Sequence, residues 1–216
     1  MRKSIIIALS ASVTLAACAN MNREQQGTLI GGIGGAAVGA AVSDGSIWGV
    51  LAGAAIGGLA GNRIGAHMDE QAKELEQAVP TAEVNRVGEG INMTFPAALM
   101  FKINSAEISP QYRDDLAAAA EVFKRYPDTN ILIEGHTDDT STDEVNMRVS
   151  KARAESVSDF FVSQGVDPAR LDEMWYGESQ PKYPNDSEAN RSKNRRVELA
   201  IYANEEMKQA AREGTL

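Results

Sequence analysis

The apolar and polar positions divide the chain into two parts, and in the second part short apolar runs alternate with longer stretches of helical period. Residues 84–87 and 91–95 flank Gly88-Glu89-Gly90, predicting a hairpin or a kinked first strand. A helix follows, with Ser109 as N-cap, Pro110 at its first position, and Leu116, Ala119, Ala120 and Phe123 turned inward. Pro127-Asp128 stops it, and residues 131–134 form the next strand. A second helix opens at Ser141, where Glu144 three positions later completes a capping box, and ends before Gly165. Its expected buried side is Val145, Val149, Ala152, Val157, Phe160 and Phe161. Residues 171–176 and 197–202 are the remaining strands, the last alternating Val197, Leu199 and Ile201 against Glu198, Ala200 and Tyr202. Strands separated by helices predict an α+β fold, an α/β sandwich with helices on one face of a mixed sheet.

The first part has another texture. Thirteen of the 19 glycines lie between Gly27 and Gly65, with a four-residue repeat at Gly27, Gly31, Gly35 and Gly39 and again at Gly49, Gly53, Gly57, Gly61 and Gly65. In an Ala, Ile, Val and Leu background this repeat lays a small-residue stripe along a helix and lets another helix approach closely. Ser43-Asp44-Gly45 breaks the two runs, so the expectation is a glycine-rich helical hairpin that self-associates or lies at a membrane. Each arm of about 15 residues is shorter than the ~20 that a bilayer span needs. Residues 67–79 turn charged, with Met68, Ala72, Leu75 and Val79 on one face, and read as a connecting helix that ends before Pro80.

Residues 1–17 show a basic start (Arg2, Lys3), an apolar core and small residues before Cys18, the layout of a secretory signal. Leu15-Ala16-Ala17-Cys18 resembles the lipobox of bacterial lipoproteins, which implies a lipidated Cys18; Ala19 in place of Asp implies sorting to the outer membrane, with the folded part facing the periplasm. The expected division is a signal peptide at 1–17, a tether at 18–26, the zipper hairpin at 27–66, a linker helix at 67–80, a globular domain at 81–203 and a tail at 204–216.

Charge and composition narrow the chemistry. The net charge is −9, and removing residues 1–17 takes away Arg2 and Lys3 but no acid, leaving nineteen basic against thirty acidic residues, net −11. Such a chain is unsuited to nucleic acid as a general partner. With a single Cys there is no internal disulfide and no thiolate metal site. Gly32-Ile33-Gly34-Gly35-Ala36-Ala37 fits a dinucleotide fingerprint only in letters, since no strand precedes it and no acid follows at the right distance. His136 beside Asp138 and Asp139 lacks a positioned nucleophile, and the only other His is His67, so neither an enzyme nor a metal or cofactor site is expected. His136 reads as a turn residue bonded to backbone or to a neighbouring acid.

The candidate chemistry lies at Gly135-His136-Thr137-Asp138. Ile131-Leu132-Ile133 delivers the chain into this turn, and Arg153 follows Asp138 by 15 residues, about three turns into the next helix, on the face of Asn146, Val149 and Ser150. An acid at a strand end then faces a base on a helix. Unless the two merely pair with each other, they suit a ligand carrying both an ammonium and a carboxylate. Arg191, Lys193, Arg195 and Arg196 form the densest basic run. Either these arginines flank the last strand and pair with acids such as Asp138 or Glu134, or one of Arg195 and Arg196 lines the groove.

Phe101, Asn104-Ser105-Ala106, Ile108, Tyr126-Pro127, the GHTD at 135–138, Asn146, Ser150, Arg153-Ala154, Val157, Gly165-Val166, Arg170-Leu171, Gly177-Glu178, Pro181, Asn190 and the NRRVE at 194–198 stand in an order that resembles the OmpA-like C-terminal domain, a peptidoglycan-binding module. Ser141 stands where that family often has Gly, and Val149 where it often has Leu. The resemblance implies a βαβαββ order and a non-catalytic peptidoglycan contact. Asp138 and Arg153 would hold the meso-diaminopimelate of the stem peptide, with Thr140, Asn146, Arg195 and Arg196 around them. The glycine-rich segment resembles the glycine zippers of envelope lipoproteins. Together these imply an outer-membrane tether to the cell wall, with an oligomerising assembly protein that acts through the zipper as the alternative.

Overall fold

A computed structural model describes residues 46–53, 56–101 and 105–216. The signal, Cys18, the tether and the first glycine-rich arm fall outside the described residues.

The second glycine-rich arm is not one helix. It forms α1 (Ile47–Gly53) and α2 (Gly58–Ala78), which are separated at Gly57 and Gly58 with φ of 63° and 65°. Two successive residues at positive φ cannot continue a right-handed helical ladder, and glycine takes them without a Cβ penalty. Helix α2 starts well before the expected connector and is no solvated strut: Ile64, Met68, Ala72 and Leu75 are buried in the core.

The chain then forms β1 (Glu83–Val87) and β2 (Gly90–Pro96), a hairpin, and a one-turn α3 (Ala97–Met100). Helix α4 (Pro110–Arg125) begins after Ser109 with Pro110 in its first turn, as the sequence predicts. Strand β3 (Thr129–His136) runs on through Gly135 and His136, so His136 sits in a strand and not in the turn. Helix α5 (Asp143–Ser163) is capped by Thr142, whose side chain accepts the Val145 N–H at 3.4 Å, one position later than the expected Ser141 box. After a 3-10 turn come β4 (Leu171–Trp175), α6 (Glu188–Asn194), β5 (Arg196–Ala203) and α7 (Glu205–Glu213). The segment read as a tail is thus α7, capped by Asn204 and docked through buried Met207 and Ala211; Arg63 of α2 donates to the Ala211 carbonyl at 2.7 Å.

The five strands form one sheet in the order β1-β2-β5-β3-β4, with β3 and β4 parallel and all other pairs antiparallel. This mixed α+β sheet agrees with the expected class. Its main face carries Ile91, Met93, Phe95, Ile131, Ile133, Val197, Leu199 and Ile201 against α2, α4 and α5.

The other face differs from the one-faced picture. Ile47 and Leu51 of α1 seat on Leu132 and Ala200, flanked by Val87, Met174 and Tyr202. The approach is close enough that a Cβ on Gly90 would lie 2.4 Å from Leu51 Cδ2. Glu89, in the turn between β1 and β2, holds the entry to α2 by accepting the N–H groups of Ile56 and Gly57 at 2.7 and 2.9 Å. The alternation in β5 was real, but its polar side is covered by α1 instead of facing water.

Candidate functional site

Strand order puts the ends of the neighbouring strands β3 and β5 side by side: His136 pairs with Arg196, so Asp138 and Arg195 emerge together although 57 residues separate them. Asp138 is only 3% exposed. Its Oδ1 accepts the Thr140 N–H at 3.1 Å and the Thr140 hydroxyl at 2.6 Å, and its Oδ2 accepts from Arg195 Nη1. Burial opposes ionisation, but the bonds from Thr140 and Arg195 outweigh it and hold the carboxyl below its usual range.

Helix α5 approaches β3 so closely that a Cβ on Gly135 would lie 2.1 Å from the Ser150 carbonyl oxygen. Only glycine allows this packing, which brings Asn146 and Arg153 over the strand end. The fully buried stripe of α5 is therefore largely polar, with Asn146, Ser150 and Arg153 beside Ala154, Val157 and Phe161. Val145, Val149, Ala152 and Phe160, expected on this side, are only half-buried. Asn146 donates through Nδ2 to the Asp138 and Ser141 carbonyls at 3.1 and 3.4 Å and to the Glu178 carboxylate. Ser150 Oγ accepts the Gly177 N–H at 3.0 Å.

Arg153 lies over the Phe101 ring, 5.1 Å from its centroid, and donates Nε to the Ser105 carbonyl at 3.3 Å. Among the described residues its two terminal nitrogens donate no hydrogen bond, and no carboxylate lies within ion-pair distance. Burial, with the nearby charge of Arg195, pulls its pKa below the usual value. Asp138 and Arg153 are therefore not each other's partners. The acid is held by Arg195, and the planar fork of Arg153 is open.

Of the expected site residues, Asp138, Arg153, Asn146, Thr140 and Arg195 come together. Thr140 spends both its hydroxyl and its N–H on Asp138 and serves the acid as a support. Arg196 does not join them. Strand alternation turns it to the α1 face, where it donates to Glu198 and to the Asn194 and Gln180 carbonyls. Sequence reasoning assigned no role to Glu178, Glu188, Ser105 or Phe101. Gly177-Glu178 offered the one usable signal, a glycine at a strand exit where the backbone takes φ of 54°.

Behind the groove, under α1, lies a buried polar cluster of Glu134, His136, Arg196, Glu198 and Asn92. Glu134 and Glu198 are cross-strand partners, Asn92 donates to Glu198 at 2.9 Å, and His136 Nε2 is 3.4 Å from Glu134 Oε2. His136 stacks on Tyr176 at 5.5 Å. Burial, then the charge of Glu198, pushes the Glu134 carboxyl up to about 8. Burial, then Arg196, pushes His136 well below the usual imidazole range, so the contact joins a protonated acid to a neutral ring.

The unfolded chain releases the Glu134 proton near the ordinary carboxylate value of 4.5, while the folded chain keeps it to about 8. The stability this group provides is therefore complete at acid pH and lost as pH rises through that window. His136 acts in the opposite sense, lowering stability as pH falls below its usual range. Glu134→Gln is expected to melt at a temperature that climbs relative to the parent chain between about pH 5 and pH 8. Parallel melting profiles over that interval would show Glu134 to be ionised in the fold.

Residues 100–195 match the OmpA family and residues 1–69 match the YMGG-like Gly-zipper family. The chain is similar to the Escherichia coli K12 protein named "Probable lipoprotein YiaD", 33% identical over 143 residues, covering 65% of each protein. It is also similar to the "Peptidoglycan-associated lipoprotein" of Haemophilus influenzae, 35% identical over 100 residues, covering 46% of this chain and 65% of that protein. The match thus spans slightly less than two thirds of either relative. Among solved structures, a MotB-like protein from Desulfovibrio vulgaris superposes with a TM-score of 0.61 at 27% identity, over 66% of this chain and 95% of that one.

Proposed function

We propose that the chain is a lipid-anchored envelope protein that binds peptidoglycan non-covalently; the match of residues 100–195 to the OmpA family and of residues 1–69 to the YMGG-like Gly-zipper family supports this reading. The observation that carries this reading is the open fork of the buried Arg153 guanidinium beside the buried, ionised Asp138. A buried cation without an anion is costly unless a ligand completes it, and a carboxylate supplies that anion while its adjoining ammonium reaches Asp138. The distal end of meso-diaminopimelate in the stem peptide is such a zwitterion. Asp138 accepts its ammonium, Arg153 forks onto its carboxylate, and Asn146 holds the loop after Asp138 in place. The name of the Haemophilus influenzae relative supports the same partner. Cys18 supplies the lipid anchor in the outer membrane, the glycine-rich segment lies near that membrane and associates with other copies, and the domain faces the periplasm.

The full chain in detergent is expected to co-sediment with purified sacculi of diaminopimelate type and to be released by a soluble muropeptide from the same wall. A chain that stays in the supernatant while melting cooperatively would remove the peptidoglycan reading and leave an assembly role for the glycine-rich segment.

A further inference from the structure

Both oxygens of Asp138 are occupied before any ligand arrives: Oδ1 by Thr140 and Oδ2 by Arg195. The cation a ligand would bring is already supplied by the chain. Arg195 is also shared, because its Nη2 donates to Glu188 Oε1 at 2.5 Å. Glu188, 67% exposed at its side chain, stands on α6 at the rim of the groove. Arg153, the other guanidinium, has no carboxylate of its own among the described residues.

We propose that Arg195 is an internal competitor for Asp138, and that it makes the groove accept ligands carrying an ammonium together with a carboxylate while disfavouring ligands that carry the ammonium alone. The argument is one of charge. A lone ammonium that takes Asp138 replaces one cation by another, raises the net charge of the groove by one, and leaves Arg153 and the displaced Arg195 facing each other. A zwitterion brings its own anion to Arg153, so the exchange is neutral. Glu188 gives the displaced Arg195 a second seat and keeps it paired. Discrimination then comes from what the wrong ligand leaves uncompensated rather than from an added contact with the right one. Arg195 bonds Asp138 directly and is a specificity-determining residue, not a ligand contact.

This inference rests on the stem-peptide reading above and deepens it. The distal carbon of meso-diaminopimelate bears both an amine and a carboxylate, whereas that of lysine bears the amine alone. Calorimetry on the full chain in detergent would use two muropeptides that differ only in meso-diaminopimelate or lysine at the third residue. The parent chain is expected to favour the diaminopimelate probe by about tenfold or more. Arg195→Gln is expected to raise affinity for the lysine probe by about fivefold and shrink the preference. Glu188→Gln removes the second seat and is expected to weaken both probes, an effect that vanishes when Arg195→Gln is added.

Weaker binding of both probes by a folded Arg195→Gln protein would make Arg195 a ligand contact and overturn the proposal. So would an unchanged preference, or equal affinity of the parent chain for the two probes. If Arg195→Gln does not fold, unaltered binding by Glu188→Gln overturns it alone, since that exposed side chain can be changed without disturbing the core. Failure of the parent chain to bind either probe would instead remove the stem-peptide reading itself.

Discussion

Asp138→Ala and Arg153→Ala are each expected to weaken binding of a diaminopimelate-containing muropeptide by about tenfold or more. Hydrogen bonds to charged groups contribute about 1.5–3 kcal/mol, and removing one partner strands the other. Each 1.4 kcal/mol is about a factor of ten in affinity. The conservative variants separate charge from shape. Asp138→Asn keeps the outline but loses the anion, and should fail nearly as badly as Asp138→Ala. Arg153→Lys keeps the charge but loses the planar fork, and should bind with intermediate strength. Asp138 also organises its own loop through Thr140, so some loss of melting temperature is expected in Asp138→Ala. Arg153 has no ion-pair partner among the described residues, so Arg153→Lys should melt close to the parent chain. Calorimetry beside melting curves reads both quantities, and parent-like affinity in folded Asp138→Ala and Arg153→Ala proteins would end the assignment of this groove.

The second large effect concerns where the folded unit begins. Residues 81–216, the segment that sequence alone marks as the globular domain and its tail, are expected not to fold cooperatively. Helix α2 places Ile64, Met68 and Leu75 in the main core, and Val79 caps its end there, all with no exposed surface. Burying such side chains is worth about 1.5–3 kcal/mol each, so their removal costs on the order of 10 kcal/mol. A domain has about 5–15 kcal/mol in total. Deletion also removes Glu74, which accepts from Arg125 Nε at 3.0 Å and from the Tyr126 hydroxyl at 3.0 Å. The fragment 46–216, which keeps α1 and α2, should melt in one transition. A sharp transition in 81–216 close to that of 46–216 would show α2 to be dispensable. Without this control, a wall-binding test on the short fragment would mistake loss of fold for loss of affinity.

Much of the domain was legible from local signals. Pro110 after Ser109 opened α4, the apolar run at Ile131-Leu132-Ile133 marked β3, and alternation along 197–202 marked β5. Where local reading slipped, a longer-range partner decided the outcome. The α5 stripe looked as though it should be aliphatic, yet the tight seat of Ser150 on Gly135 turned Asn146 and Arg153 inward. Met68, Ala72, Leu75 and Val79 were correctly placed on one face, but a face does not say what covers it, and the charged residues between them suggested only solvent. The end of the chain read as a tail because its amphipathic turn gains stability only by docking on α2.

The sequence by itself determined the chemistry on offer: an acid after Gly135-His136-Thr137, a guanidinium 15 residues on, a basic run before the last strand, and a glycine-rich segment ahead of an α+β domain. These follow from periodicity, capping and residue type, which act over a few positions. Only the tertiary structure decided the pairings. The order β1-β2-β5-β3-β4 set β5 beside β3, so Asp138 is neutralised by Arg195 and the fork of Arg153 stays open. The same order, with α1 laid over the second face, buried Glu134 and Glu198 as neighbours and drew Arg196 away from the groove to Glu198. Which charge meets which is a matter of distance and shared desolvation, and those arise only when strands remote in sequence are brought together.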